Sequence, residues 1–212
     1  MKDKIIYIYD ALCGWCYGFS PVIQKLYDTY KDEIDFDVIS GGMITGERVG
    51  PIGTVAPFIT NAYKDVERVS GVKFGDTFIN DILKNGTAIL TSEKPAYALS
   101  VFKTYHRDKA VPFSSTLQKA IYYDGIHTDD DNAYGKYAAQ YGIDPAEFVA
   151  KMQEKQYQQM AQAEFEQTAM MGIRGFPAVI YGKHSHLFLI SRGYTTYEEI
   201  TGVITQVQEE AI

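Results

Sequence analysis

The sequence predicts an α/β fold interrupted by a large all-helical insertion. Three observations carry that prediction. Strand-like runs gather near the two ends of the 212-residue chain. The long middle stretch has helical periodicity and is punctuated by glycine. The two cysteines of the chain, Cys13 and Cys16, stand three apart, where the first strand would hand over to the first helix.

Ile5-Ile6-Tyr7-Ile8-Tyr9 is apolar, β-branched and aromatic, and reads as a buried strand. From Trp15 to about Tyr30, the residues Phe19, Val22, Ile23, Leu26 and Tyr30 recur at three- and four-residue steps, which marks an amphipathic helix. A second strand is expected over 34–39, where Ile34, Phe36 and Val38 alternate with Asp35 and Asp37. It ends at Gly41-Gly42. The segment after it holds Gly46, Gly50, Pro51 and Gly53, but no strand-anchored G-x-G-x-x-G and no Walker-type lysine. It reads as a loop and not as a nucleotide site.

Six helices are expected next, over 55–69, 76–83, 92–106, 113–123, 132–141 and 144–171. Ser92 precedes Glu93 and Pro95, and Asp144 precedes Pro145 and Glu147, both signatures of a helix start. Gly125, Gly142 and Gly172 stand where helices should stop. Strands return after Gly172. Phe176-Pro177-Ala178-Val179-Ile180-Tyr181 is one, Gly182-Lys183 begins a turn, and 186–190 is the other, ended by Arg192-Gly193. A last helix runs from about 196 to 210, with Thr196 and Glu199 in capping-box spacing. The order is β-α-β, a helical block, then β-β-α. Residues 1–50 and 172–212 thus form a thioredoxin-like domain, and residues 51–171 a helical insertion domain. Loop-closure entropy grows slowly with length, so a folded insertion of this size is tolerated.

A C-x-x-C on a strand-to-helix turn is a redox arrangement. A first cysteine at a helix start has its thiolate favoured by unpaired backbone N–H groups and the helix dipole. The duller alternatives are weaker. A structural disulfide at this spacing closes too short a loop to constrain much of the unfolded chain. Tetrahedral zinc needs four ligands, and the one candidate histidine pair, His184 and His186, is split by Ser185. Arg174-Gly175-Phe176-Pro177 supplies the second half of the site. In a thioredoxin-like sheet the residue entering the third strand faces the cysteines, and a proline there is usually cis. Pro177 is then expected beside Cys13, with the Phe176 backbone free to pair with an extended substrate. Cys13 is expected to attack and Cys16 to resolve, with Trp15, Phe176 and Pro177 contacting substrate. No cofactor and no metal are expected.

Composition narrows the partners. The net charge is −7, from 20 Lys and Arg against 27 Asp and Glu, and no basic run occurs. Nucleic acid and anionic membrane are therefore poor partners. The apolar runs are too short to span a bilayer. Met1-Lys2-Asp3-Lys4 leads straight into the first strand without a signal-peptide pattern, so a cytoplasmic location is expected. The 17 tyrosines suit groove linings as well as core edges.

The stretch Tyr9-Asp10-Ala11-Leu12-Cys13-Gly14-Trp15-Cys16-Tyr17-Gly18-Phe19-Ser20-Pro21 resembles the active-site segment of DsbA-family thiol–disulfide oxidoreductases, the FrnE-like subgroup above all. Thr91-Ser92-Glu93-Lys94-Pro95-Ala96 and Gly172-Ile173-Arg174-Gly175-Phe176-Pro177 are similar to that subgroup's inner motifs. The resemblance implies a thioredoxin fold with a helical insert, a two-cysteine redox centre, and protein or peptide thiols and disulfides as substrates, with glutathione among the small thiols. Cys13, Cys16 and Pro177 match the family's functional positions. The central dipeptide departs from the pattern: it is Gly14-Trp15, neither the Pro-His of DsbA oxidases nor the Gly-Pro of thioredoxins, so oxidase, isomerase and reductase stay open. Two rival classes remain beside this reading. Kappa-type glutathione transferases and chromene-carboxylate isomerases look similar but place serine at the position of Cys13. A protein-interaction adaptor on the same fold would need neither cysteine.

Overall fold

The structure is a computed structural model and describes residues 2–209. The elements follow in the order β1 (Lys4–Tyr9), α1 (Gly14–Tyr30), β2 (Asp35–Ser40), β3 (Gly50–Pro51), α2 (Ala56–Ser70), β4 (Ile89–Leu90), α3 (Glu93–His106), α4 (Ala110–Tyr122), α5 (Asp131–Ala138), α6 (Pro145–Met152), α7 (Lys155–Met170), β5 (Ala178–Lys183), β6 (His186–Arg192) and α8 (Tyr197–Glu209). Glu210, the expected last residue of the final helix, lies outside the described residues.

Four strands form one sheet in the order β2-β1-β5-β6. α1 carries the chain back along the sheet, so β1 and β2 pair in parallel, from Lys4 opposite Asp35 to Tyr9 opposite Ser40. β5 returns antiparallel to β1, and β6 folds back on β5 with a bulge between Val179 and Ile180. Both faces of β1 are covered, which is why its sequence is nearly continuous in apolar residues. Tyr7, Tyr9 and Phe19 pack in the larger core on one side. Ile8, Ile39, Ala178 and Ile180 form a smaller cluster on the other.

Several expectations shift. The helix expected over 76–83 is a π-helix over Phe78–Leu83. The single helix expected over 144–171 is two, α6 and α7, broken at Gln153-Glu154 where Glu154 turns extended. The break lets α7 pack against α3 and β2, and no glycine or proline marks it. The middle segment also holds a two-stranded ladder, β3 with β4. β5 runs on through Gly182 and Lys183 before the hairpin turn. Asp37, which alternates with Phe36 and Val38 along β2, does not face solvent. It is buried, with Arg107 at 2.9 Å, Lys4 at 3.0 Å and Lys103 at 3.7 Å. Burial alone would raise its carboxyl; Lys103, Arg107 and Lys4 outweigh that and hold it below the usual carboxylate range.

Asp144 caps α6 as expected, accepting from the Glu147 N–H at 2.8 Å. Thr196 and Glu199 form the reciprocal capping box of α8. Gly75 locks the π-helix to α4, since its N–H donates to the Tyr122 carbonyl at 2.9 Å. A Cβ there would sit 1.8 Å from the Tyr123 carbonyl oxygen, so backbone must move. Gly75→Ala is expected to cost about 1–3 kcal/mol, read as a lowered urea midpoint; an unchanged midpoint would show that this contact relaxes freely.

Candidate active site

β1 ends at Tyr9 and α1 begins at Gly14, so Cys13 falls on the N-cap of α1. Its backbone is extended, with φ −87° and ψ 109°, and its Sγ accepts from the Cys16 N–H at 3.3 Å. A cap of this kind satisfies one of the orphan donors of the first turn, here with sulfur instead of the usual oxygen. Both cysteines are free thiols in this structure. Cys13 keeps 7% of its surface exposed and Cys16 none. Burial pushes the Cys16 thiol well above its ordinary value, and the hydrogen bond and charge of Cys13 add to that rise.

The Phe176–Pro177 peptide bond is cis. Pro177 is buried at the head of β5, and its carbonyl accepts from the Gly193 N–H at 2.7 Å. The Phe176 carbonyl is not free, as the sequence suggested. The Cys13 thiol donates to it at 3.4 Å. The Phe176 ring lies over Gly41, where a Cβ would come within 2.1 Å of it. Trp15 is half-buried, its ring 6.0 Å from that of Tyr194. Cys13, Cys16, Phe176 and Pro177 are thus assembled at one place, with Trp15 on the first turn beside them. His184 and His186 lie far along the chain on the β5–β6 hairpin. Among the described residues no group of three or more His, Cys, Asp or Glu could hold a metal ion.

Three further residues support the site. Asp10 is buried and ties the segments around Cys13. One carboxylate oxygen accepts from the Leu12 N–H at 2.9 Å and the Ser92 hydroxyl at 2.8 Å, the other from the Met43 N–H at 2.7 Å. Ser92 looked like a helix cap, yet its hydroxyl makes no cap hydrogen bond. It serves Asp10 instead, and Thr91 Oγ1 accepts from the Glu93 N–H. Tyr7 on β1 lies fully buried, with a hydroxyl that has no hydrogen-bond partner among the described residues. Burial raises its phenol well above the ordinary value, and the neighbouring Cys16 and Cys13 add to the rise.

A family model described as a DSBA-like thioredoxin domain matches residues 4–194. The chain belongs to this family. Its DsbA-like fold has solved relatives of nearly equal length. A protein from Nitrosomonas europaea, provisionally assigned as a protein disulfide isomerase, is 24% identical, with TM-score 0.83 and all of both chains covered. The cytosolic disulfide reductase DsbM from Pseudomonas aeruginosa is 19% identical, with TM-score 0.79 over 97% of this chain and 98% of that one. A structure of DsbM with GSH is similar, at 20% identity and TM-score 0.78, over 97% of this chain and 99% of that one. At these identities the likeness speaks for the DsbA-like fold alone. No curated protein matches the chain. Among the described residues, no helix is long and apolar enough to cross a membrane.

Proposed function

We propose that this DsbA-like chain is a dithiol–disulfide oxidoreductase acting on protein or peptide disulfides, with Cys13 as the attacking sulfur and Cys16 as the resolving one. One observation carries the reading: Cys13 Sγ caps the active-site helix and touches the carbonyl of Phe176, at the only exposed part of the cysteine pair. Cys13 attacks as its thiolate on a substrate R–S–S–R′. The Cys13–S–R bond forms, the substrate S–S bond breaks, and R′S⁻ leaves to take up a proton. Cys16 then loses its proton and attacks Cys13 Sγ. The Cys13–Cys16 disulfide forms and RS⁻ leaves. Two electrons pass from the protein dithiol to the substrate, and the reverse sequence oxidises a substrate dithiol. Trp15, Phe176 and Pro177 form the surface against which substrate lies. Glutathione is the small thiol to test for recycling the pair, in keeping with the DsbM structure that contains it.

The test is the equilibrium potential of the pair, titrated in glutathione buffers and read by Trp15 fluorescence and thiol alkylation. A reversible two-electron transition is expected. A value of about −120 to −180 mV would place the chain with oxidases and isomerases, and about −270 mV with reductases. No reversible transition at all would sink the redox reading in favour of an adaptor role.

A further inference from the structure

Tyr7 carries a polar group that the exchange steps above leave unused. It stands within β1, opposite Val38 of β2 and Val179 of β5. No part of it reaches solvent. Its ring is held between Tyr9, at 5.4 Å, and Phe19, at 5.8 Å. Phe19 and Cys16 stand three apart on α1 and share one helix face. The Tyr7 hydroxyl accordingly meets the Cys16 thiol in the interior, but it makes no hydrogen bond among the described residues. A buried donor without a partner is costly, and few persist in native structures. Such a donor is useful where charge develops only during the reaction.

Cys16 is where that charge develops. Its sulfur has to become a thiolate in the second exchange step, yet it has no exposed surface. The Asp10 N–H donates toward it from the end of β1. The ionisable groups around it are the Cys13 thiol, the Asp10 carboxyl, Tyr7 and Tyr9 on β1, and Tyr122 on α4. None of these is a cation. The Tyr7 phenol does not act as a base, because burial raises it well above its ordinary value and the two cysteines raise it further. It stays an O–H donor.

We propose that the Tyr7 hydroxyl and the Asp10 N–H form a pair of donors that stabilises the Cys16 thiolate while it attacks Cys13. The assignment rests on the redox reading above and adds a residue to its second step. In the dithiol the hydroxyl has no partner. Once Cys13 carries RS, the Cys16 proton goes to the departing R′S⁻, and Tyr7 donates to the sulfur left charged. The phenol proton stays on its oxygen. When the Cys13–Cys16 bond forms, RS⁻ carries the charge away and the hydroxyl is again without a partner. The two electrons pass between sulfurs throughout.

Tyr7→Phe removes the oxygen and keeps the ring. The reduced protein is mixed with an excess of the disulfide of N-acetylcysteine amide, quenched with acid and weighed by mass spectrometry, which times the appearance and the decay of the Cys13 adduct separately. Decay is expected to slow about tenfold or more, the loss that follows removal of one donor to a developing charge. Appearance of the adduct and the equilibrium with glutathione near neutral pH are each expected to stay within about threefold, because neither the first attack nor the two end states use the bond. The urea midpoint should hold or rise, since an unpartnered polar group is gone. An adduct that decays as fast as in the wild type would overturn the proposal. So would slow decay with a shifted glutathione equilibrium, the mark of a displaced Cys16, or a lowered urea midpoint, the mark of a hydroxyl already bonded in the resting protein. Wild-type protein that forms neither adduct nor disulfide would overturn the redox reading itself, so the two failures are told apart.

Discussion

Cys16→Ser is expected to turn the chain into a trap for its substrates. With Cys13 intact the first attack proceeds, but no second sulfur completes the exchange, so a Cys13 mixed disulfide accumulates. Mass spectrometry should show a gain equal to one substrate half, lost on reduction. Cys13→Ser should give no adduct and slow exchange by at least about a thousandfold, in line with losses seen when a covalent nucleophile is removed. The asymmetry follows from burial. Cys16 has no exposed surface, lies under Cys13 on the first turn, and has its thiol pushed up by that burial. It can meet a sulfur already delivered to Cys13 but not one still in solvent. Cys13 instead stands at the helix cap, with the Cys16 N–H aimed at its Sγ. An adduct on Cys16 in the Cys13→Ser variant, formed as fast as in the wild type, would reverse the two roles.

What the sequence revealed of this arrangement was what lies close along the chain. β1 reads as a strand because both its faces are covered, so its apolar run is unbroken. The start of α1 is marked by the motif itself, and the Thr196–Glu199 box is a four-residue pattern. What escaped notice depends on partners remote in sequence. Ser92 follows the rule for a helix cap, but its hydroxyl goes to Asp10, 82 residues away. Asp37 alternates like a surface residue, and the guanidinium beside it comes from Arg107, 70 residues on. The turn between α6 and α7 has no glycine or proline to announce it. The stripe on α2 has the period of a core-facing helix, and periodicity cannot tell a packed core from the wall of a pocket.

Asp10→Ala should be the most damaging change that leaves both cysteines in place. The carboxylate joins the turn into Cys13, the loop after β2 and the start of α3, through Leu12, Met43 and Ser92. Alanine would leave three donors without an acceptor, the Leu12 N–H and the Ser92 hydroxyl buried and the Met43 N–H half-buried. At about 1–3 kcal/mol for each unsatisfied group, the loss is at least about 3 kcal/mol, a large share of the ~5–15 kcal/mol that holds a typical domain folded. Urea unfolding measures it directly; a loss below about 1 kcal/mol would mean that water or a small backbone shift replaces the carboxylate. The pH dependence supplies an independent signature. Burial raises the Asp10 carboxyl above its usual range, with the hydrogen bonds from Met43, Leu12 and Ser92 pulling back only part of the way. The native state therefore keeps this proton after the unfolded chain has lost it. Above about pH 4, the ordinary carboxylate value, stability should fall with rising pH until the native carboxyl ionises too. Asp37 has the opposite sign: its carboxyl is depressed, so its contribution is lost as pH falls through its native value. Asp10→Asn keeps the size of the side chain and cannot titrate, so it should remove the falling arm and leave the Asp37 arm in place. A carboxyl kept at the entrance to α1 despite that cost in stability is held there for the three donors it gathers, and those donors fix the backbone that leads into Cys13.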